Sequence, residues 1–446
     1  MLDILTDLRE RVLQDIEDQG ARTFIKDTLL VSGAKYLNTL FTVAFTALLA
    51  RFLGPSAYGT YKLTLQTADT IGFITPANTS VKRTYITKYS EYNQTGHEER
   101  IRDLVDLLVA TAFVIGGVTV IANYVLSGLM ADIYGDEAIS LLLILASFRL
   151  FFWSLNSVPD AFLRAEKRMG TLSRFVTLTS LFSKGIPVAL VLAGFGVKGA
   201  VFGAGLAGPV LALITGLFFV RRSLDILRLP RLGSIKRALR TDDDFLGYLT
   251  LGQIANSLFT SLPVLILGTQ SSAAVGYFSI ALFGARVPAI FGSSIASNLA
   301  PRLPATKVNN PEQFAENVRS TAIYSTAVLG VLAVLGAAFT PFVVPFVLGE
   351  EYRPVVPIAL ILFVRPFGQG IGSVIGPAYR ALNRVKQSAL VSTSFQALAV
   401  GVGFLLIPQY GATAAASVIV AGTFLPNILL WVLLVRRHVP ALLSEG

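Results

Sequence analysis

The chain contains no cysteine, which excludes disulfide frameworks, thiolate nucleophiles and thiolate metal centres. It has only two histidines, His97 and His438, and neither stands in a pattern that ligates a metal. No serine, threonine or lysine is paired with a base in the manner of an activated nucleophile. No enzyme, metal or cofactor is therefore expected. Charge is also scarce, 14% of 446 residues, against about 25% in an ordinary soluble domain. Residues 1–19 lack the apolar core of a cleavable signal.

What remains is apolar. Hydrophobic residues make up 53% of the chain and the mean hydropathy is +0.64. A membrane-spanning helix needs about 20 such residues. Six runs fall in the first half, at 29–53, 57–77, 104–127, 138–162, 171–194 and 199–220, and six in the second, at 245–268, 273–298, 320–345, 355–378, 387–408 and 412–435. The expected fold is an all-α polytopic membrane protein with twelve transmembrane helices. Around them lie a cytoplasmic amphipathic segment at 1–28, a basic linker at 221–244 and a tail at 437–446.

The net charge of +10 reads as topology rather than as a nucleic-acid footprint, because membrane proteins concentrate Lys and Arg in cytoplasmic loops. Both termini and loops 76–103, 162–174, 221–244, 299–319 and 379–386 carry 28 of the 37 basic residues. That alternation places both termini in the cytoplasm and the protein, as a multi-pass component, in the cell (cytoplasmic) membrane. In residues 1–19, Leu5, Leu8, Val12 and Ile16 form one helical stripe among six acidic residues, which suits a helix lying on the membrane face.

The two halves resemble each other at a spacing of about 214–219 residues. NTLFT at 38–42 matches NSLFT at 256–260, and FLRAEKR at 162–168 matches AYRALNR at 378–384. Each half, 29–220 and 245–436, holds six spans, an even number, so both enter the membrane in the same direction. Such halves form two six-helix lobes about a pseudo-two-fold axis along the membrane normal, with the substrate site at their interface.

The segment LILASFRLFFW, 143–153, places Arg149 in the middle of an apolar run, and LILFVRPF at 360–367 places Arg365 at the equivalent position. A charge at the bilayer centre costs roughly 2.5–3.5 kcal/mol on insertion scales and marks a function by default. Either these arginines serve their own helix bundles or they face a wet, cationic space. Lys35, Lys184 and Arg286 also fall inside spans, whereas Asp69 is the one clear acid there. Such a space prefers an anion, which arginine holds with a two-pronged fork and lysine with a point charge. Asp69 and Arg286 are equivalent in the repeat, so the sequence also suggests an Asp69–Arg286 gating pair across the axis; a partner within its own half is the alternative for Asp69. Prolines 187, 209, 263, 288, 366 and 426 lie inside spans and are expected to bend them.

The stretch ARFLGPSAYGTY, 50–61, and the basic-aromatic VKRTYITKYSEY, 81–92, resemble the polysaccharide-biosynthesis (Wzx-type) flippases of the multidrug/oligosaccharidyl-lipid/polysaccharide exporter superfamily. The two halves and the basic linker extend that resemblance over nearly the whole chain. It implies a flippase that moves a polyprenyl-(pyro)phosphate-linked sugar or oligosaccharide from the cytoplasmic to the outer leaflet by alternating access. It also implies that spans one, two, seven and eight line the cavity. The expected substrate-binding residues are Lys35 and Arg286 at the phosphate, with Arg149 and Arg365 supplying field. Expected partners are the lipid-linked oligosaccharide, membrane lipids and glycan-assembly enzymes, with no nucleic acid. A multidrug exporter of the same fold and a non-transporting scaffold for glycan enzymes are the rival readings.

Overall fold

The computed structural model describes residues 19–73, 75–94, 97–221, 243–299, 303, 306–307 and 310–440. The amphipathic segment up to residue 18 and most of the basic linker lie outside the described residues. Among the described residues the protein is helical throughout. We number the helices α1 (Gln19–Ile71), α2 (Pro76–Gln94), α3 (Glu98–Tyr134), α4 (Ala138–Ala165), α5 (Met169–Val220), α6 (Asp243–Gly268), α7 (Ser272–Arg286), α8 (Ala289–Leu299), α9 (Pro311–Leu348), α10 (Val355–Ala381) and α11 (Val385–His438).

Six of these, α3, α4, α5, α9, α10 and α11, are long and apolar enough to cross a membrane. Their outward faces carry large apolar side chains, Phe342 and Phe346 among them, as a lipid-facing surface requires. The protein is thus a multi-pass membrane protein. At about 1.5 Å per residue, α5 and α11, of 52 and 54 residues, far exceed the ~30 Å hydrocarbon core. Each folds back on itself. Gly194 and Gly196 reverse α5 with φ of 89° and 55°, and Gly411 reverses α11 with φ of 60°, a backbone region that favours glycine. In α5 the two arms then touch: a Cβ on Gly203 would lie 2.8 Å from the nitrogen of Pro187. α1 breaks at Gly54 (φ 74°), just before Pro55. Two of the expected proline bends coincide with interruptions, Pro288 between α7 and α8 and Pro366 just after the Phe363–Val364 turn in α10.

The sequence repeat is also a backbone repeat. Gly135 and Gly349 both have positive φ at the ends of α3 and α9. Gly196 (φ 55°, ψ −142°) and Gly411 (φ 60°, ψ −138°) match closely. Lys167 and Asn383, at the same place in the FLRAEKR and AYRALNR turns, share φ of 55° and 56° and are non-glycine residues.

Packing differs at the two ends of the bundle. At the end carrying the Gly54, Gly135, Gly349 and Gly411 turns, buried side chains of both halves form one continuous core, including Tyr58, Leu143, Phe278, Tyr352 and Ile419. At the opposite end the core splits in two. One part surrounds Tyr85, Leu108 and Phe162 in the first half; the other surrounds Phe314, Tyr379 and Leu430 in the second. The joined end is laced across the halves: the Tyr352 hydroxyl donates to the Ala50 carbonyl at 2.7 Å and Arg51 Nη1 to that of Val347 at 3.1 Å. Burial, then the neighbouring Glu351, raises the Tyr352 hydroxyl well above the usual tyrosine pKa, so it stays protonated and keeps that bond.

Candidate functional site

The functional side chains converge where α1 meets α4, α5, α6 and α7. The arm of α1 after Gly54 carries Lys62 and Asp69. Seven residues is close to two helical turns, so both lie on one face. Between them Gln66 donates to Ser261 of α6 across the halves. Lys62 Nζ sits over the rings of Tyr58 and Tyr61, at 5.4 and 5.7 Å from their centroids, a geometry in which each ring face attracts the cation. Lys62 is also close enough to interact electrostatically with Lys184, Arg286, Arg149 and Asp69.

Arg149 of α4 donates from Nη2 to Asp69 Oδ1, an ion pair with both side chains partly buried. The suggested Asp69–Arg286 pair is therefore not the one formed in this conformation. α4 packs on α1 within the same half, which brings its guanidinium onto the carboxylate first. Asp69 accordingly takes a partner within its own half, the alternative that the sequence left open. Arg286, at the last turn of α7, is instead exposed to a cavity of about 180 Å³ lined by Asn38, Thr39, Thr42, Phe283 and Ile290. Arg365 lies on α10 just past its interruption, within electrostatic range of Arg286. Its Nε and Nη1 are buried without a hydrogen-bond partner. Lys35 lies on α1 one turn before Asn38; its side chain is outside the described residues.

The structure thus brings together four expected residues, Asp69, Arg149, Arg286 and Arg365, with Lys184 beside Arg149. It adds one that was not among the expected residues, Lys62, near the start of the second apolar run. Its signal was the seven-residue spacing to Asp69, which puts it on the same inward face. Among the described residues these five cations are accompanied by one carboxylate, Asp69, a balance suited to an anion. Among the described residues no group of three or more His, Asp or Glu side chains could hold a metal ion.

An apolar groove of about 310 Å³ adjoins this cavity. It runs between the first arm of α1, at Val43, Thr46 and Ala47, and α7, α9 and α10, at Phe283, Phe339 and Phe363. Val43, Phe283 and Val287 line both spaces, so the pocket at Arg286, with Asn38, Thr39 and Thr42 in its wall, lies directly against the apolar one.

A family model described as polysaccharide biosynthesis protein matches residues 48–357. The putative O-antigen transporter of Shigella flexneri is 19% identical over 384 residues, covering 85% of this chain and 90% of that protein. An inward-facing multidrug resistance MATE-family transporter of the MOP superfamily superimposes with a TM-score of 0.71 at 16% identity, covering 92% of this chain and 96% of that one. The lipid II flippase MurJ in an inward closed conformation does so with a TM-score of 0.72 at 14% identity, covering 92% of this chain and 87% of that one. At these identities the two structural matches establish the shared fold.

Proposed function

Since the chain belongs to the polysaccharide-biosynthesis flippases of the Wzx type, we propose that it turns an anionic polyprenyl-(pyro)phosphate-linked sugar or oligosaccharide from the cytoplasmic to the outer leaflet by alternating access. The observation that carries this reading is the contact between the Arg286 cavity and the apolar groove. A ligand with a phosphate head and a hydrocarbon tail suits that pair of spaces. Phosphate meets guanidinium donors at one end, the tail leaves along the α1–α7 seam, and the saccharide occupies the wet space between the halves. The names of two similar proteins, an O-antigen transporter and a lipid II flippase, agree with saccharide and lipid cargo.

The architecture that serves this function is twelve spans in two six-helix lobes, residues 29–220 and 245–436. The fold-backs at Gly54, Gly194–Gly196 and Gly411 and the matched backbone turns support it. Both termini are cytoplasmic and the protein sits in the cytoplasmic membrane, in keeping with the distribution of Lys and Arg. The joined end of the core is then the outer end, sealed in this conformation, and the divided end faces the cytoplasm. Lys62, Arg286 and Lys35 engage the phosphate. A charge crossing the membrane potential exchanges about 2.3 kcal/mol per 100 mV, so cargo charge couples transport to the potential. A drug-cation exporter on this fold would require the opposite balance of charge from that around Asp69.

The reading is tested by reconstituting the protein in liposomes and following a polyprenyl-pyrophosphate-linked oligosaccharide between leaflets. Wild type is expected to accelerate transfer, and Arg286→Ala to reduce it by an order of magnitude or more, as loss of a charged hydrogen bond of about 1.5–3 kcal/mol implies. Equal transfer with and without protein overturns the transport claim and favours a scaffold.

A further inference from the structure

Arg51 stands near the end of the first apolar run, just ahead of the break at Gly54. In the register that pairs Leu53-Gly54 with Leu267-Gly268, its counterpart in the second half is Leu265, so packing at this place in the fold does not call for a cation. A cleft of about 430 Å³ opens beside Arg51. Its other walls are Ala47 and Leu48 of α1, in the first half, and Phe346 and Val347 of α9, in the second. The i, i+3 and i, i+4 spacings set Ala47, Leu48 and Arg51 on one helix face. Leu48 and Phe346 are exposed, which on the flank of a membrane protein means open to lipid. Arg51 is the one charged residue in the wall. Its Nη1 donates to the Val347 carbonyl at 3.1 Å, an acceptor in the last turn of α9 that its own helix leaves unpaired. Among the described residues no carboxylate pairs with Arg51. The acids of the adjoining turn are engaged elsewhere: Glu350 pairs with Arg353 at 3.1 Å, Glu351 lies against Gly54, and neither lines the cleft.

An arginine near a membrane surface keeps its stem among the lipid chains and turns its charge toward the headgroups. Here the Val347 bond holds the guanidinium at the seam between the halves, over a cleft with oily walls. A headgroup phosphate offers its remaining N–H groups charged acceptors, and a chain of the same molecule covers Leu48 and Phe346. A soluble anion would leave those walls bare. A zwitterionic lipid brings a cation of its own to a place where no carboxylate receives it. We propose that this cleft seats an anionic bilayer phospholipid, with its phosphate on Arg51 and an acyl chain along Leu48 and Phe346. Because the walls come from both halves, the lipid bridges them at the joined end of the core and favours the conformation seen here. The related seam, with Leu265 in place of Arg51, offers no such seat. None of the central cations lines this cleft, and its occupation does not rest on the transport reading. The orientation given there puts the lipid in the outer leaflet.

The test is the melting temperature of the purified full chain in detergent micelles titrated with dioleoyl phosphatidylglycerol or, as the zwitterionic control, dioleoyl phosphatidylcholine. A ligand that binds only the folded state raises stability in a saturable way. Other basic residues also attract anionic lipid, so the reading is the difference between wild type and variants. Phosphatidylglycerol is expected to raise wild type by roughly 2 °C or more above phosphatidylcholine. That increment is expected to vanish in Arg51→Leu, which copies the related seam. Leu48→Trp fills the cleft and leaves the charge in place; it is expected to lose the increment too, and it serves if Arg51→Leu does not fold. Equal increments in wild type and the variants overturn the site, even where Arg51→Leu melts earlier in both lipids, because Arg51 is then a structural tie alone. An equal rise with glycerol 3-phosphate in place of the lipid makes the cleft a place for free anions and overturns the lipid assignment.

Discussion

Gly59 and Gly276, equivalent residues of the two halves, lie where α1 and α7 cross backbone to backbone. A Cβ on Gly59 would fall 1.6 Å from the Ser272 carbonyl oxygen, and one on Gly276 would fall 2.2 Å from that of Pro55. Both obstacles are main chain, so no rotamer change relieves them. Gly59→Ala and Gly276→Ala are each expected to wedge the two halves apart at this end and destabilise this conformation by about 1–3 kcal/mol, the usual cost of overpacking. Because the chain has no cysteine, a single Ala50→Cys probe, buried at this end in the structure, and a maleimide report the closure cleanly. Labelling is expected to rise severalfold in either alanine variant; unchanged labelling and unchanged melting would refute the seal.

The Arg149–Asp69 pair sets a second expectation. Removing one member of a partly buried pair strands the other and costs about 1–3 kcal/mol. Asp69→Asn and Arg149→Gln are therefore each destabilising, while the double variant recovers a large part of the loss. In a denaturation cycle Asp69 should couple to Arg149 by more than about 1 kcal/mol and add independently with Arg286. The opposite pattern would assign the ion pair of the resting state to the two halves.

Lys62 supplies a third. On the proposed function, its place over Tyr58 and Tyr61, amid the other cations, makes it a contact for cargo charge. Lys62→Gln should weaken cargo binding by about tenfold or more, the loss of one charged hydrogen bond, with a melting temperature near wild type. The concentration dependence of transfer in liposomes measures this. A variant that melts early and transfers normally would mark Lys62 as structural.

The turn residues Lys167 and Asn383 give a stability test. Left-handed backbone costs an ordinary residue roughly 1–2 kcal/mol and asparagine less. Lys167→Asn, which copies the other half, is expected to stabilise by a few tenths of a kcal/mol or more, whereas Asn383→Val should destabilise by about 1–2 kcal/mol. Thermal melting of the two variants checks both signs.

Much of this was legible in the sequence because it depends on local chemistry. Glycine marks the reversals at 54, 194–196 and 411 because few other residues adopt those angles. The equivalence of Arg149 with Arg365 follows from two apolar runs that share one pattern. The partner of Asp69 was not legible, since it depends on how α4 crosses α1, a long-range outcome that spacing does not encode. Lys62 was missed for a related reason. Hydropathy sums a window and ignores direction, so a lysine near the end of a run reads as a loop edge although its helix turns it inward. The unequal fate of two equivalent arginines needed both halves side by side, each with its neighbours.

The undivided core at one end of the bundle has a bearing on the empty carrier. Leu143, Phe278, Tyr352 and Ile419 hold that end together through apolar contact, and the Tyr352 hydroxyl adds its bond to the Ala50 carbonyl. On the proposed orientation a molecule waiting for cargo is shut toward the exterior, and the membrane voltage has no aqueous thread to discharge through. Prising that closure apart exposes oily surface, so on the proposed function the energy of gripping a lipid-borne anion is what offsets the excursion. Idle molecules then stay watertight.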